Sequence, residues 1–173
     1  AARLAQPAWK PDVEFAQQAL GFRVGNYGFT RWSDLFTSRQ LVALTTFSDL
    51  VGEAIAKVKA DALAVGLPDD GEPLEKLGAG ATAYGQAVGV YLAFAVDKGA
   101  NYWSSLCSWH QTRDGIVSTF GRQTLPMIWD YAEANPISDS SGNFMLGVDQ
   151  AAKTLEASIQ AGLGVAVQRN AAD

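Results

Sequence analysis

A chain of 173 residues with 48% apolar and 18% charged residues has ordinary globular composition, which excludes intrinsic disorder and leaves enough apolar side chain for a sizeable core. A formal net charge of −5 argues against a free-standing nucleic-acid binder, which carries a basic footprint. One cysteine excludes an intrachain disulfide, and one cysteine with one histidine cannot complete a four-ligand structural zinc site.

No apolar run reaches a bilayer-spanning length, and the opening stretch AARLAQPAWKPD lacks the apolar centre of a secretory signal, so the expected setting is cytoplasmic. The only methionines are Met127 and Met145, and Ala1 is read as the edge of an excised piece.

In chain order, Pro7 and Pro11 punctuate a lead-in, after which Val13, Ala16 and Leu20 share one face of a short helix over 12–20, stopped by Gly21. A further turn is expected over 30–36, with Thr30 as its cap. Thr37 and Gln40 then have capping-box spacing: the hydroxyl accepts from the N–H three residues on, and the amide returns to the Thr N–H. Phe36 and Leu41 occupy the hydrophobic-staple positions. Leu41, Leu44, Phe47, Val51, Ile55, Val58 and Ala62 follow at steps of three and four, so this start opens an amphipathic helix of about seven turns. Arg39 is electrostatically misplaced in its first turn, which predicts an acidic partner, either Asp34 or a group on another segment.

Residues 66–80, GLPDDGEPLEKLGAG, read as the loop of a helical hairpin. After Pro73 a second series runs through Leu74, Leu77, Ala81, Tyr84, Val88, Tyr91 and Ala95. Its later part is apolar on nearly all sides, which places 81–100 at the centre of a bundle. Gly80, Gly85, Gly89 and Gly99 lower helix propensity there, a cost usually accepted for close helix approach. Residues 101–120 are aromatic and mixed. Thr124 is positioned to cap a short helix with Pro126 in its first turn, ended at Asn135 before Pro136. Residues 137–143 read as a loop. Val148, Ala152, Leu155, Ile159 and Leu163 mark a last helix closed by Gly162 or Gly164. Residues 165–168, VAVQ, have the pattern of a strand with no sheet to join, and are expected to fray. The expected architecture is all-α, an orthogonal bundle of about five to seven helices, with residues 1–173 forming a single helical domain.

Two blocks of this chain, YGFTRWSDLFTSRQLVALTTFSDLV at 27–51 and NYWSSLCSWHQTRDGIVSTFGRQTLPMIWDYAEANPISDSSGNF at 101–144, go further. Together they resemble a middle region of the large bacterial and archaeal adenine-specific DNA methylases that contain a zinc ribbon, the family with the DUF1156 domain. The resemblance implies a parent protein that transfers a methyl group from S-adenosylmethionine to an adenine amino group. In that family the cofactor motif lies upstream of such a region and the catalytic motif shortly downstream. The chain would then be a fragment of the parent, with the remainder of the methyltransferase as its partner and DNA met only in that context. It would carry no catalytic, cofactor-binding or metal residues of its own, and S-adenosylmethionine would belong to the parent.

The residues agree with that division. Asn135-Pro136 is followed by Ile137 and Ser138, so the second proline and stacking aromatic of an Asn-Pro-Pro-Tyr motif are missing, and the pair reads as a helix stop. Gly78, Gly80 and Gly85 follow no strand, which weakens a nucleotide-loop reading. Cys107 and His110 have a spacing that can place two ligands on one metal, or a nucleophile near its base, but two groups do not make a site. Trp103, Trp109, Arg113, Arg122 and Trp129 have the types that stack on bases and clasp phosphates, with Trp109, Arg113 and Arg122 the candidates for nucleic-acid contact. Set against this, the tryptophans also suit a core, and Asp114, Asp130 and Glu133 lie near in sequence to pair with the arginines. The rival readings are a stand-alone protein-interaction module, which the acidic charge favours, and an independent enzyme built around Cys107, Trp109 and His110.

Overall fold

The computed structural model describes residues 6–16 and 21–158. Three α-helices and one two-stranded antiparallel sheet form its regular structure: α1 (Ser38–Ala64), α2 (Ala81–Tyr102), β1 (Ser108–His110), β2 (Gly115–Val117) and α3 (Phe144–Ser158). Short 3₁₀ turns occupy Arg23–Tyr27, Trp32–Leu35 and Leu74–Lys76. The expected all-α bundle of five to seven helices is therefore wrong. Helical periodicity was present at several places where the backbone found other partners.

The capping box that opens α1 is built as its sequence specifies. Gln40 Oε1 accepts the Thr37 N–H at 2.8 Å, and Thr37 Oγ1 accepts the Gln40 N–H at 3.4 Å. Leu41 is buried, and Phe36 packs against the apolar cluster ahead of the helix. The preceding turn, Trp32–Leu35, is fixed from its far end, because the Asp34 carboxylate takes the N–H groups of both Thr30 and Arg31 at 2.8 Å.

α1 and α2 run antiparallel, and glycine sets their separation. A Cβ on Gly85 would stand 2.9 Å from the carbonyl oxygen of Ile55, and one on Gly89 would stand 2.5 Å from the Ile55 side chain. α3 approaches the other end of α2 in the same way, since a Cβ on Gly147 would lie 3.0 Å from the Cα of Ala95. Trp103, at the end of α2, is 1% exposed; it packs near Phe47, and its indole N–H donates to the Gly142 carbonyl at 2.7 Å. Phe47 also stacks on Phe144 of α3, so one aromatic group joins all three helices. Asn143 caps α3 by accepting the Leu146 N–H at 2.7 Å.

The loop between α1 and α2 is organised by two carboxylates. Gly80, at the cap position of α2, has no side chain to offer, and Asp69 takes that role from across the loop, accepting Thr82 N–H at 3.0 Å and Thr82 Oγ1–H at 2.8 Å. Lys59 of α1 adds an ion pair to Asp69 at 3.1 Å. Hydrogen bonds from the Thr82 hydroxyl and N–H hold the Asp69 carboxyl far below the usual aspartate value, with Lys59 contributing. Asp70 accepts the N–H groups of Ala79 and Glu72, which lower its pKa as well. The second apolar series does not begin α2 at Leu74. Leu77 adopts φ 62° and stands exposed, and the helix starts only at Ala81.

A second apolar cluster lies beside the helices. Val24, Leu35, Leu106 and Leu125 are buried in it, with Phe15, Phe22, Phe29, Trp32, Phe36, Met127 and Ile128 packed around them. Phe15, Phe22 and Trp32 meet edge to face at 5.0–5.9 Å. Backbone pairing between distant segments explains two of the missing helices. Around Glu14 the chain is extended and bridges to Arg31, with Phe15 N–H donating to Thr30 O, so residues 12–16 are not helical; 17–20 lie outside the described residues. Leu125 pairs in parallel with Phe22, its N–H donating to Gly21 O and its carbonyl accepting from Val24, so Thr124 caps nothing and 124–135 stay irregular. Asn135 makes a turn instead of stopping a helix, its Oδ1 accepting the Ile137 N–H at 3.0 Å. The expected closure at Gly162 or Gly164 and the strand-like 165–168 also lie outside the described residues.

Candidate functional site

The three residues singled out for nucleic-acid contact surround the β-hairpin. Ser108 pairs with Val117, Trp109 with Ile116 and His110 with Gly115. Residues 111–114 connect the strands, with the Arg113 N–H donating to His110 O and Asp114 at φ 44°, a left-handed conformation aspartate tolerates better than most residues. Asp114-Gly115 between two short runs containing Trp, Ile and Val is a hairpin signal, and weighing it would have found this element.

The hairpin does not gather the candidates on one surface. Paired residues share a face of the sheet, so Trp109 lies with Ile116 and is 53% exposed, while Ser108 and Val117 face the other way. On that second face Ser108, Val117, Thr119 and Arg122 line a cavity of about 330 Å³. Arg113 stands exposed at the turn. Among the described residues neither Arg113 nor Arg122 makes an ion pair; the expected partner Glu133 is taken by Arg39. Arg39 thus has its acidic partner on another segment.

The tryptophans divide as well. Trp103 belongs to the core, whereas Trp129 is 74% exposed and meets Tyr27 edge to face at 5.0 Å. Reading the whole aromatic group as core is right for Trp103 and wrong for Trp109 and Trp129.

Cys107 is fully buried just before β1. Its Sγ lies 3.3 Å from Thr119 Oγ1 and 3.6 Å from the Asn101 carbonyl, and Ser104 Oγ bridges to the same threonine. His110 has a different partner, with Nδ1 3.1 Å from Thr112 Oγ1. Among the described residues the thiol's hydrogen-bond contacts are Thr119, Asn101 and Ser104, so His110 is not paired with Cys107 as an activating base. Among the described residues no three His, Cys, Asp or Glu side chains come together as a metal-binding group.

Sequence reasoning missed a second hollow, at the start of α1. Arg39, Gln40, Ala43, Trp103, Glu133 and Asn135 contribute to a cavity of about 340 Å³. Capping-box spacing assigns Gln40 a capping duty alone, and no periodicity signals that residues 133–136 come to lie beside it.

Among the described residues no helix is long and apolar enough to cross a membrane. Compared with known proteins, the chain matches no family model, no curated protein and no solved structure.

Proposed function

We propose that this chain is a non-catalytic, α-rich portion of a cytoplasmic S-adenosylmethionine-dependent, adenine-specific DNA methyltransferase, where it braces the catalytic core and helps place DNA. The family resemblance of residues 27–51 and 101–144 supplies the identity of the parent, and the surface of α2 carries the bracing role. Gly85 and Gly89 turn toward α1, and at 100° per residue Val90, Tyr91 and Phe94 fall on the opposite side. There Val90 is 43% and Phe94 57% exposed, with the Tyr91 and Phe94 rings in edge contact at 6.1 Å. A helix apolar all round belongs inside a protein, and this one has an uncovered apolar face among the described residues. The rest of the parent is the proposed cover.

The test compares the 173-residue chain with a longer one that adds the cofactor and catalytic motifs. The short chain should not bind S-adenosylmethionine, whereas the longer one should bind it and should slow hydrogen exchange of the α2 amides. Phe94→Asp in the longer chain should lower both its melting temperature and its methyl transfer. Cofactor binding by the short chain, or indifference of the longer one to Phe94→Asp, would count against this role.

A stand-alone protein-interaction module is the second reading, favoured by the net charge of −5 together with the same apolar face. It predicts that the short chain does not associate with the remainder of the parent. The DNA contribution rests on Trp109, exposed on the hairpin, with Arg113 and Arg122 near it in sequence. Trp109→Ala should weaken duplex binding by the longer chain without changing its cofactor affinity.

A further inference from the structure

Two aspartates in this chain are followed by glycine, Asp70 before Gly71 in the loop between α1 and α2, and Asp114 before Gly115 in the β-hairpin. Such a pair has a chemistry of its own. The backbone nitrogen after an aspartate can attack the side-chain Cγ and close a succinimide ring, and glycine, with no Cβ, crowds that nitrogen least. Both aspartates are exposed, so access to water does not separate them. Their hydrogen bonds do.

At 70–71 the reacting groups are engaged. Asp70 Oδ1 accepts the Glu72 N–H at 3.1 Å and Oδ2 the Ala79 N–H at 2.9 Å, while the Gly71 N–H donates to Asp69 Oδ1 at 3.2 Å. The Ala79 and Glu72 N–H groups also hold the Asp70 carboxyl below the usual aspartate range, and the ionised group is a poor electrophile. At 114–115, by contrast, no hydrogen bond or ion pair engages the Asp114 carboxylate among the described residues. Its backbone stands at φ 44°, a left-handed conformation that holds an L residue under strain. Gly115 occupies the last rung of the ladder, opposite His110, so attack by its nitrogen needs one rung of an isolated two-stranded sheet to open.

We propose that Asp114 is a self-modification site, where the hairpin turn converts to isoaspartate while the hydrogen bonds of the α1–α2 loop protect Asp70. The Gly115 nitrogen bonds to Asp114 Cγ, and its proton leaves with the carboxyl hydroxyl as water. A second water then opens the ring. Addition at Cγ returns aspartate, and addition at the α-carbonyl carbon leaves the chain running through Cγ, as isoaspartate. Water is the only co-reactant. The modified turn is longer by one backbone carbon and joins strands only three residues long, so it acts directly on the Trp109–Ile116 pairing. The site is independent of the methyltransferase reading, and its test involves neither cofactor nor DNA.

The folded 173-residue chain is incubated for weeks in H₂¹⁸O at mildly acidic pH, then digested with trypsin in ordinary water. Each succinimide that forms and opens exchanges one carboxyl oxygen, whichever product results, so ¹⁸O counts turnovers. Residues 114–122 and 60–76 fall in separate tryptic peptides, and fragmentation places the label within each. Asp114 should label about tenfold or more faster than Asp70, the factor that one charge-assisted hydrogen bond supplies. In urea the protection of Asp70 is lost and the two rates should converge. Gly115→Ala crowds the attacking nitrogen and should slow labelling of Asp114 several-fold; the added Cβ meets nothing nearer than 3.6 Å, so the hairpin accommodates it. Equal labelling of the two aspartates in the folded chain, or labelling of Asp114 only in urea, would overturn the proposal. A preference for Asp114 that persists unchanged in urea would overturn it too, by assigning the difference to sequence neighbours and not to the fold.

Discussion

Arg39 in the first turn of α1 donates from Nε to Glu133 Oε1 at 2.7 Å and makes a second contact from Nη2 to Oε2, joining residues 94 positions apart. A cation at a helix N-terminus opposes the macrodipole, and this carboxylate offsets it while tying the irregular 131–136 segment to the best-specified helix start in the chain. Glu133→Ala should lower the melting temperature modestly, because the Arg39 side chain is half exposed, and the deficit should shrink as salt is raised. A deficit that is the same at low and high ionic strength would mean that the segment is held by packing and not by charge.

Removing the cap has a larger expected effect. Thr37→Ala loses the acceptor for the Gln40 N–H and should destabilise the chain by about 1 kcal/mol in urea unfolding. Gln40→Ala should cost at least as much, since it strips the Thr37 N–H of its acceptor and empties a buried position. Two variants indistinguishable from the parent would show that the capping bonds contribute nothing net.

The two hairpin glycines should respond differently to alanine. At Gly85 the added Cβ meets the Ile55 backbone carbonyl at 2.9 Å, which cannot move without shifting α1, so about 1–3 kcal/mol of destabilisation is expected. At Gly89 the obstacle is the Ile55 side chain, Cγ1 and Cδ1 both at 2.5 Å, which yields more readily than backbone, and the gain in helix propensity of up to about 1 kcal/mol offsets part of the strain. Equal losses at both sites would contradict the close backbone approach at Gly85.

Acid sensitivity should centre on Asp69. Its folded pKa lies below the unfolded one, so the unfolded chain takes up the proton first as pH falls. The contribution of Asp69 is therefore complete above its ordinary value of 3.8 and is lost as pH drops from there toward the folded value. Asp69→Asn should flatten the acid limb of the stability profile and lower stability at neutral pH, both readable from thermal melts in a pH series. An unchanged acid limb would remove Asp69 from this role.

How far the sequence could be read follows from how local each determinant is. The start of α1, its length, and the glycines along α2 were legible because capping, periodicity and small-residue spacing act within a few turns. The helices expected over 12–20 and 124–135 were lost to long-range competitors. Glu14 found Arg31, and Leu125 found Phe22, so extended pairing displaced helical turns that composition alone allowed. The placement of Trp109 and Arg122 on opposite faces depends on the hairpin register, which the mixed, aromatic pattern of residues 101–120 does not express. Gln40 shows the same limit at a single residue: its cap is legible locally, while the hollow beside it depends on residues 133–136, far away in sequence.

The carboxylate-organised loop between α1 and α2 also orders events in time. Among the described residues Asp69 and Asp70 bond to partners within about a dozen positions of themselves, Lys59 included, so the α1–α2 hairpin assembles from contacts near in sequence. The apolar cluster around Val24 and Leu35 is the opposite case. It needs Leu106 and Leu125, and its backbone ties run from Ser105 to Leu35 and from Val24 to Leu125. Closing those loops is slow relative to forming a local helical hairpin. During synthesis the cluster residues of 15–36 must wait with their aromatic side chains exposed until the chain past residue 125 has emerged. In that interval this segment, with Phe15, Phe22, Phe29 and Trp32 uncovered, is the natural client for a chaperone.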